Sequence, residues 1–264
     1  MKRARIRHAE QVKAAVVRAD GRLETADGAV LDEGEVSWLA PPHGTIIALG
    51  LNYADHASEL EFKAPSEPLL FIKAPSGVTG HHTPCCRPDG VKHMHYEAEL
   101  VAVMGRTAHK VKRADAMGYV GGYTLCNDFA VRDYLENFYR PNLRVKCRDT
   151  LTPLGPWIVD AADVEDAGSL EVRTWVNGEL TQSGNTRDMV FDIPFLVEYL
   201  SSFMTLRPGD MISTGTPRGV TDVQPGDEVV VEVENVGRLQ NRIVSEAEYR
   251  SLRMQEEAMQ VKNV

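Results

Sequence analysis

The C-terminal part of the chain consists mainly of short apolar segments separated by turn signals, and this pattern constrains the fold most. Its strand-like segments are LEVRTWVNGEL, GDMISTGTP, DEVVVEVENVGRL and QNRIVSE. Between them, only FDIPFLVEYLSSFM has the pattern of a clear helix. Parallel strands need long crossover connections, which are usually helices. Strands without regular helical crossovers therefore predict a largely antiparallel α+β fold.

Turn signals divide these segments. The Asn-Gly pair at 177–178 is typical of a tight hairpin turn. The tripeptide Pro-Gly-Asp occurs at 208–210 and again at 225–227, each time just before a predicted strand. After Ser245 the chain becomes polar, and we predict a surface helix there.

The chain has 264 residues, of which 43% are hydrophobic, enough to bury a core without disulfide bonds. We predict a small N-terminal segment or domain over 1–43, because VKAAVVRADGRLETADGAVL alternates apolar and polar residues around glycines, as a small hairpin does. Pro41, Pro42 and Gly44 then mark a boundary. The main domain is expected to span 44–250, and 251–264 to form a tail.

Charge and composition exclude several classes of protein. With 38 acidic and 29 basic residues, the net charge of -9 does not suit general nucleic-acid binding. No segment reaches the roughly 18 apolar residues of a membrane span, and the basic start lacks the apolar core of a secretory signal. The four cysteines show no metal-site spacing, so we interpret them as reduced thiols. A cytoplasmic protein is expected.

The segment HMHYEAELVAVMG carries the strongest chemical signal. If it is extended, Glu97 and Glu99 point to one face, and Asp128 at the end of GYTLCND offers a third carboxylate. Carboxylates held together need a cation, and three of them suit Mg²⁺ or Mn²⁺. Two alternatives remain open: a solvated strand face, or a zinc or iron site that includes His93 and His95.

Three further groups of residues could bind or move protons. His56 and Glu59 would be neighbours on a helix, as a general-base dyad or as a surface pair. A basic segment around Arg140, Arg144 and Arg148 could receive an anionic ligand or form structural salt bridges. In ISTGTPRGV, the turn could bind an anion through backbone N–H groups, although it is not a phosphate-binding Walker loop.

The chain resembles the fumarylacetoacetate hydrolase family over about residues 44–246. The resemblance rests on these motifs in order: GLNYADHASE, LFIKAPS, HYEAEL, CNDFAVRDY, RVKCRD, and STGTPRGV followed by PGDEVVVEVENVG. It implies a mixed β-sandwich roll, usually in dimers. It also implies Mg²⁺ or Mn²⁺ bound by Glu97, Glu99 and Asp128.

The resemblance assigns roles to the remaining candidates. His56 and Glu59 match the family's catalytic dyad, Lys146 its active-site lysine, and Thr216 its substrate-binding turn. Within the family, the chain is most similar to members that decarboxylate an unsaturated 2-oxo tricarboxylic acid and isomerise the product during 4-hydroxyphenylacetate breakdown. Arg140, Arg144 and Arg148 would then bind remote carboxylates of the substrate.

Three further functions are compatible with the same motifs. The first is a hydrolase of acylpyruvates or fumarylacetoacetate, in which His56 and Glu59 would activate water. A hydratase or an oxaloacetate decarboxylase is a second. A non-catalytic binding protein fits less well, because every motif position retains its chemically active residue.

Overall fold

The computed structural model describes residues 1–55, 65–135 and 143–262. The strands there are β1 (Lys2–His8), β2 (Gln11–Val17), β3 (Leu23–Thr25), β4 (Val30–Leu31), β5 (Ser37–Leu39), β6 (Ile46–Gly50), β7 (Leu69–Lys73), β8 (Val78–Thr79), β9 (Cys85–Arg87), β10 (Met94–His95), β11 (Ala98–Met104), β12 (Val120–Asn127), β13 (Ala130–Val131), β14 (Thr152–Asp160), β15 (Glu171–Val176), β16 (Glu179–Asn185), β17 (Met211–Ser213), β18 (Glu228–Val233) and β19 (Gly237–Ser245). The α-helices are α1 (Leu143–Lys146), α2 (Ile193–Phe203) and α3 (Glu246–Lys262).

Two mixed sheets dominate the fold. The larger follows the order β4-β3-β2-β1-β14-β12-β11-β17-β6-β7, with β5 added to β1 and β8 to β14. The smaller follows β16-β15-β18-β19-β9, and β10 pairs with β13 separately. Pairing is antiparallel except at β6–β17, β8–β14 and β9–β19. The predicted α+β class is therefore confirmed, together with the predominance of antiparallel pairs.

The main core lies between the two sheets. It joins Leu100 and Tyr123 of the larger sheet to Val172 and Leu239 of the smaller one. All seven residues of β11 are buried, because the core covers one face of this central strand and further packed residues cover the other. The apolar side of α2 closes this core. Its N-terminus is capped by Asp192, whose carboxylate accepts a hydrogen bond from the Phe195 N–H at 2.9 Å.

The N-terminal segment forms the predicted hairpin and also joins the larger sheet. Strands β2 and β3 pair antiparallel. Strand β1 pairs with β14, placing Ala4 opposite Trp157. A small separate core forms around Ile6, Leu23 and Trp38. The segment thus has its own core and a continuous hydrogen-bonded connection to the rest of the chain, and the boundary near residue 43 stays a prediction.

The predicted turns are confirmed. Asn177 and Gly178 both have positive φ between β15 and β16, as a tight hairpin turn requires. Both Pro-Gly-Asp sequences form turns before strands, β17 in one case and β18 in the other. The polar C-terminal segment is helix α3.

The structure also shows the state of the four cysteines and the character of the described helices. Cys85, Cys86, Cys126 and Cys147 are all free thiols. Within the described residues, we find no helix with both the length and the apolar character needed to cross a bilayer.

Candidate metal centre and active site

The three predicted carboxylates meet at one end of the central strands of the larger sheet. Antiparallel pairing sets Ala98 opposite Asn127, so Glu97 and Asp128 lie next to each other beyond this pair. The Asp128 N–H donates to the Glu97 carbonyl at 2.9 Å. Glu97, Glu99 and Asp128 each offer an oxygen within 4.8 Å of the other two, and all three residues are buried. The two-residue spacing of Glu97 and Glu99 predicted that they lie close together, and the structure brings them together with Asp128.

Glu99 is fully buried, and unlike Glu97 and Asp128 it accepts no hydrogen bond from a charged side chain among the described residues. Its Oε2 accepts hydrogen bonds from Ser213 Oγ at 2.5 Å and from the Gly215 N–H at 3.1 Å. Its Oε1 is buried and has no hydrogen-bond partner among the described residues. Burial, with repulsion from Asp128 and Glu97, raises the pKa of Glu99 to about 8.

Gly215 must be glycine for this contact to form. Its φ is +87°, a conformation that side chains rarely adopt, and an added Cβ would lie 2.9 Å from the Asn52 Cβ. The turn after β17 therefore brings a backbone N–H onto Glu99 at a position that tolerates no side chain.

Lys146 connects the other two carboxylates. Its Nζ donates to Glu97 Oε2 at 2.6 Å, to Asp128 Oδ2 at 2.9 Å and to the Asp128 carbonyl at 3.0 Å. Burial acts to lower the pKa of Lys146, but the negative charges of Asp128 and Glu97 outweigh it, and the pKa is raised. The predicted active-site lysine is therefore a buried, charged group in direct contact with the carboxylates.

Two cations at the site were not singled out from the sequence. Lys73, at the end of β7, is buried and donates to Asp128 Oδ1 and to the Lys146 carbonyl. Arg132 donates to Glu97 Oε1 at 2.6 Å. Both residues lie inside motifs of the family resemblance, and a lysine ending an apolar strand is the signal that could have identified Lys73.

The residues fit a hard divalent cation. Oxygen-rich sites built from carboxylates are those that Mg²⁺ and Mn²⁺ prefer. Leaving a buried carboxylate oxygen such as Glu99 Oε1 without a partner is costly, and a cation is the partner that would satisfy it. Glu97, Glu99 and Asp128 are the residues that would hold the ion.

The alternative site with histidine ligands is not favoured by this geometry. His95 Nδ1 accepts a hydrogen bond from Arg132 Nε at 3.2 Å. Burial and the Arg132 charge lower the pKa of His95 to about 4. Among the described residues, the metal-competent group around Glu99 includes neither His93 nor His95.

A second group of potential ligands, Glu33 with His81 and His82, lies apart from this site. His81 Nδ1 accepts the Gln240 N–H at 2.9 Å, so the neutral ring carries its proton on Nε2. That nitrogen faces Glu33 Oε1 at 3.4 Å, as a proton donor does. The group therefore behaves as a histidine–carboxylate contact between the N-terminal segment and the β8–β9 connection, which is itself hydrogen-bonded to β19.

The remaining predicted residues are placed as follows. Arg144 and Arg148 lie over the Tyr134 ring, with their guanidinium carbons 3.7 and 5.1 Å from its centroid. Arg148 also lines a surface cavity against α3. Thr216 is buried in the turn after β17, one residue beyond Gly215. His56, Glu59 and Arg140 lie outside the described residues.

Known families and structures match most of the chain. The family model described as Fumarylacetoacetate (FAA) hydrolase C-terminal matches residues 45–244. Over 210 residues the chain is 65% identical to the 4-hydroxyphenylacetate degradation bifunctional isomerase/decarboxylase of Salmonella dublin, covering 80% of this chain and 49% of that protein. The chain thus spans about half the length of this curated relative.

Solved structures match over nearly the whole chain. The 5-carboxymethyl-2-hydroxymuconate delta-isomerase of Mycobacterium smegmatis is 36% identical with a TM-score of 0.82, covering 93% of this chain and 99% of that one. The maleylpyruvate hydrolase of Sphingobium sp. SYK-6, in complex with manganese(II) and pyruvate, is 29% identical with a TM-score of 0.80, over 93% and 99% of the two chains.

Proposed function

The chain belongs to the fumarylacetoacetate hydrolase family, and on this premise we propose that it is a decarboxylase and isomerase of 2-oxo acids. Its proposed reactions are the decarboxylation of 5-carboxymethyl-2-oxo-hex-3-ene-1,7-dioate and the isomerisation of 2-hydroxyhepta-2,4-diene-1,7-dioate. The buried group of Glu97, Glu99 and Asp128 carries this proposal, since it offers a divalent-cation site beside a buried lysine. The 65% identity to a bifunctional isomerase/decarboxylase supports the choice of substrate.

A bound Mg²⁺ or Mn²⁺ ion supplies Lewis-acid stabilisation of the negative charge that develops on the 2-oxo group. Manganese in a similar structure supports this choice of ions. Lys146 is held in its charged form by Asp128 and Glu97, and this fixed cation would bind the oxo or carboxylate end of the substrate.

The proposed chemistry needs no nucleophile. The carboxylate that is lost is placed vinylogously β to the ketone, so breaking its C–C bond releases CO₂ and leaves the electron pair in a dienolate. A proton added to the far carbon then gives the 2-oxo-3-ene isomer. One site can therefore perform both steps, because both pass through the same delocalised charge.

Substrate binding and proton transfer are assigned to further residues. Arg140, Arg144 and Arg148 would bind the remote carboxylates, since guanidinium groups suit carboxylates. Thr216 would contact the substrate from its buried turn. His56, oriented by Glu59, would move the proton.

Hydrolysis of a C–C bond is the second candidate, and the similarity to a maleylpyruvate hydrolase favours it over hydration or oxaloacetate decarboxylation. In that reaction His56 and Glu59 would activate water to attack a carbonyl. The hydrolase needs the same ion and the same carboxylates, so the geometry of Glu97, Glu99 and Asp128 does not separate the two candidates.

The products do separate them. Chelator-treated protein is mixed with the 5-carboxymethyl substrate or with an acylpyruvate, each with and without Mg²⁺. The decarboxylase proposal predicts metal-dependent CO₂ release from the first substrate. Metal-dependent cleavage of the acylpyruvate into two acids, without CO₂ from the first substrate, would assign the chain to the hydrolases.

We propose that the protein acts in the cytoplasm as a homodimer or higher homo-oligomer, without nucleic-acid or membrane partners. The free thiols and the net charge of -9 support this assignment. Light scattering coupled to size-exclusion chromatography tests the oligomeric state, and a monomer at micromolar concentration would contradict it.

A further inference from the structure

The turn that carries Thr216 lies directly on strand β16. An added Cβ on Gly184 of β16 would lie 2.4 Å from the Pro217 Cβ, so the two segments approach as closely as only glycine permits. Gln182, two residues earlier on β16, is 1% exposed and donates from Nε2 to Thr216 Oγ1 at 2.8 Å and to the Pro217 carbonyl at 2.7 Å. The Gln182 side chain thus binds the turn at two points.

These contacts fix the orientation of the Gln182 amide. The Pro217 carbonyl can only accept hydrogen bonds, so the amide NH₂ must face the turn. On the other side, Thr174 Oγ1 lies 2.7 Å from Gln182 Oε1 and must donate to it. A chain of hydrogen bonds therefore runs in one direction, from Thr174 through Gln182 to Thr216.

The direction of this series of hydrogen bonds determines whether the Thr216 hydroxyl acts as a donor or as an acceptor. Its hydroxyl oxygen already accepts from Gln182, so its hydrogen must be donated elsewhere. In the part of the chain that the structure describes, this hydrogen has no acceptor. The neighbouring Gly215 N–H binds Glu99, which places the Thr216 turn against the carboxylate group.

We propose that Gln182 is a positioning residue that keeps the Thr216 hydroxyl oriented as a hydrogen-bond donor to an oxygen of the anionic substrate. This inference rests on the proposed function, because it assigns the substrate to the same site. It implies that the group facing Thr216 accepts hydrogen bonds, as a carboxylate or oxo oxygen does, and that a substrate with a donor there is disfavoured.

The test measures binding as well as turnover. Oxalate serves as a stable dianion in place of the 2-oxo acid end, and its affinity for the Mn²⁺-loaded protein is measured by calorimetry. The variants are Thr216→Val, Gln182→Met and the double variant. Thr181→Val is the matched control, since this β16 hydroxyl bonds the Thr174 carbonyl and does not touch the Gln182 amide. Thr216→Ser keeps the hydroxyl and should rescue binding.

We expect Thr216→Val and Gln182→Met each to weaken oxalate binding roughly 10- to 100-fold, the effect of one hydrogen bond to a charged group. KM for the substrate should rise more than kcat falls. The double variant should bind no worse than Thr216→Val alone, because Gln182 acts through that hydroxyl. Thr181→Val and Thr216→Ser should bind nearly as the wild type does.

Two results would overturn the inference. One is unchanged oxalate affinity in Thr216→Val. The other is that Gln182→Met weakens oxalate binding by the same factor in the wild type and in Thr216→Val. Gln182 would then only support the fold. Wild-type protein that binds Mn²⁺ and oxalate but releases no CO₂ would contradict the proposed reaction and leave this test intact. Wild-type protein that binds neither would contradict both.

Discussion

The surroundings of the Glu99 side chain disfavour its ionised form. Its Oε1 has no partner among the described residues, and burial beside Asp128 and Glu97 raises its pKa to about 8. Without a cation, the side chain is mainly protonated at neutral pH. Because the folded state then holds more protons than the unfolded state, the metal-free fold loses stability as the pH rises from about 4.5 to about 8.

Metal binding should therefore displace a proton from Glu99. Below about pH 8, we expect Mn²⁺ affinity to rise up to about tenfold per pH unit, and to level off above it. Calorimetry in two buffers of different ionisation enthalpy measures the released proton, about one per ion at pH 7. A proton count near zero at that pH would show that Glu99 is already ionised.

Lys73 should matter for stability more than a surface lysine. Lys73→Met leaves Asp128 buried with one fewer cation and removes the bond to the Lys146 carbonyl, so we expect a loss of about 3 kcal/mol in metal-free protein. Urea unfolding measures it. Lys13→Met is the control, since its partner Asp27 is exposed, and little change is expected there. Equal effects of the two substitutions would contradict the structural role of Lys73.

Residue identity alone predicted the carboxylates better than their cations. Glu97 and Glu99 could be paired because strand geometry repeats every two residues. The contact of Lys73 with Asp128 spans 55 positions, and no local pattern encodes it. Gln182 and Thr216 are joined across 34 positions by the packing of a turn on a strand, which is likewise a tertiary property.

At the scale of elements, the aspartate carboxylate of each Pro-Gly-Asp turn accepts one or more backbone N–H groups, but the two turns lie in different surroundings. Asp210 accepts the N–H groups of Arg207 and Thr45, both at 2.7 Å, and so ties the start of β17 to the start of β6. Asp227 accepts the Gln224 N–H at 2.7 Å before β18. The sequence predicted both turns, but not that the aspartate of one of them, Asp210, is buried where β6 and β17 begin.

Burial predicts unequal effects of matched substitutions in these turns. Asp210→Ala leaves two N–H groups unsatisfied at a site that is 7% exposed, and we expect a loss of about 3 kcal/mol. Asp227→Ala should cost about 1 kcal/mol, because water can replace its carboxylate. Chemical denaturation of both variants compares them, and a larger loss for Asp227→Ala would contradict the assignment.

At the scale of the whole molecule, the N-terminal segment completes the larger sheet. Strand β1 pairs with β14 across about 155 positions of the sequence, and the ring centroids of Trp38 and Trp157 are 6.1 Å apart. Local patterns predicted the antiparallel α+β class and the β2–β3 hairpin. They could not predict this long-range pairing, because β1 has no local signal that selects β14 as its partner.

Deleting residues 1–43 should therefore destabilise the remainder, although none of the predicted site residues is removed. The deletion leaves the β14 edge unpaired and uncovers Trp157, so we expect a lower Tm and self-association. Thermal unfolding and size-exclusion chromatography measure both. A Tm within about 2 °C of the full chain would show that the segment is an independent unit.

The proposed reaction depends on a divalent-cation site formed by Glu97, Glu99 and Asp128. A Mn²⁺ titration followed by the paramagnetic resonance signal of the free ion tests it most directly. We predict one tightly bound ion per wild-type chain, none in Glu99→Ala, and wild-type binding in Glu33→Ala, which alters only the second group of potential ligands. Undiminished Mn²⁺ binding by folded Glu99→Ala protein would contradict a cation site at Glu97, Glu99 and Asp128.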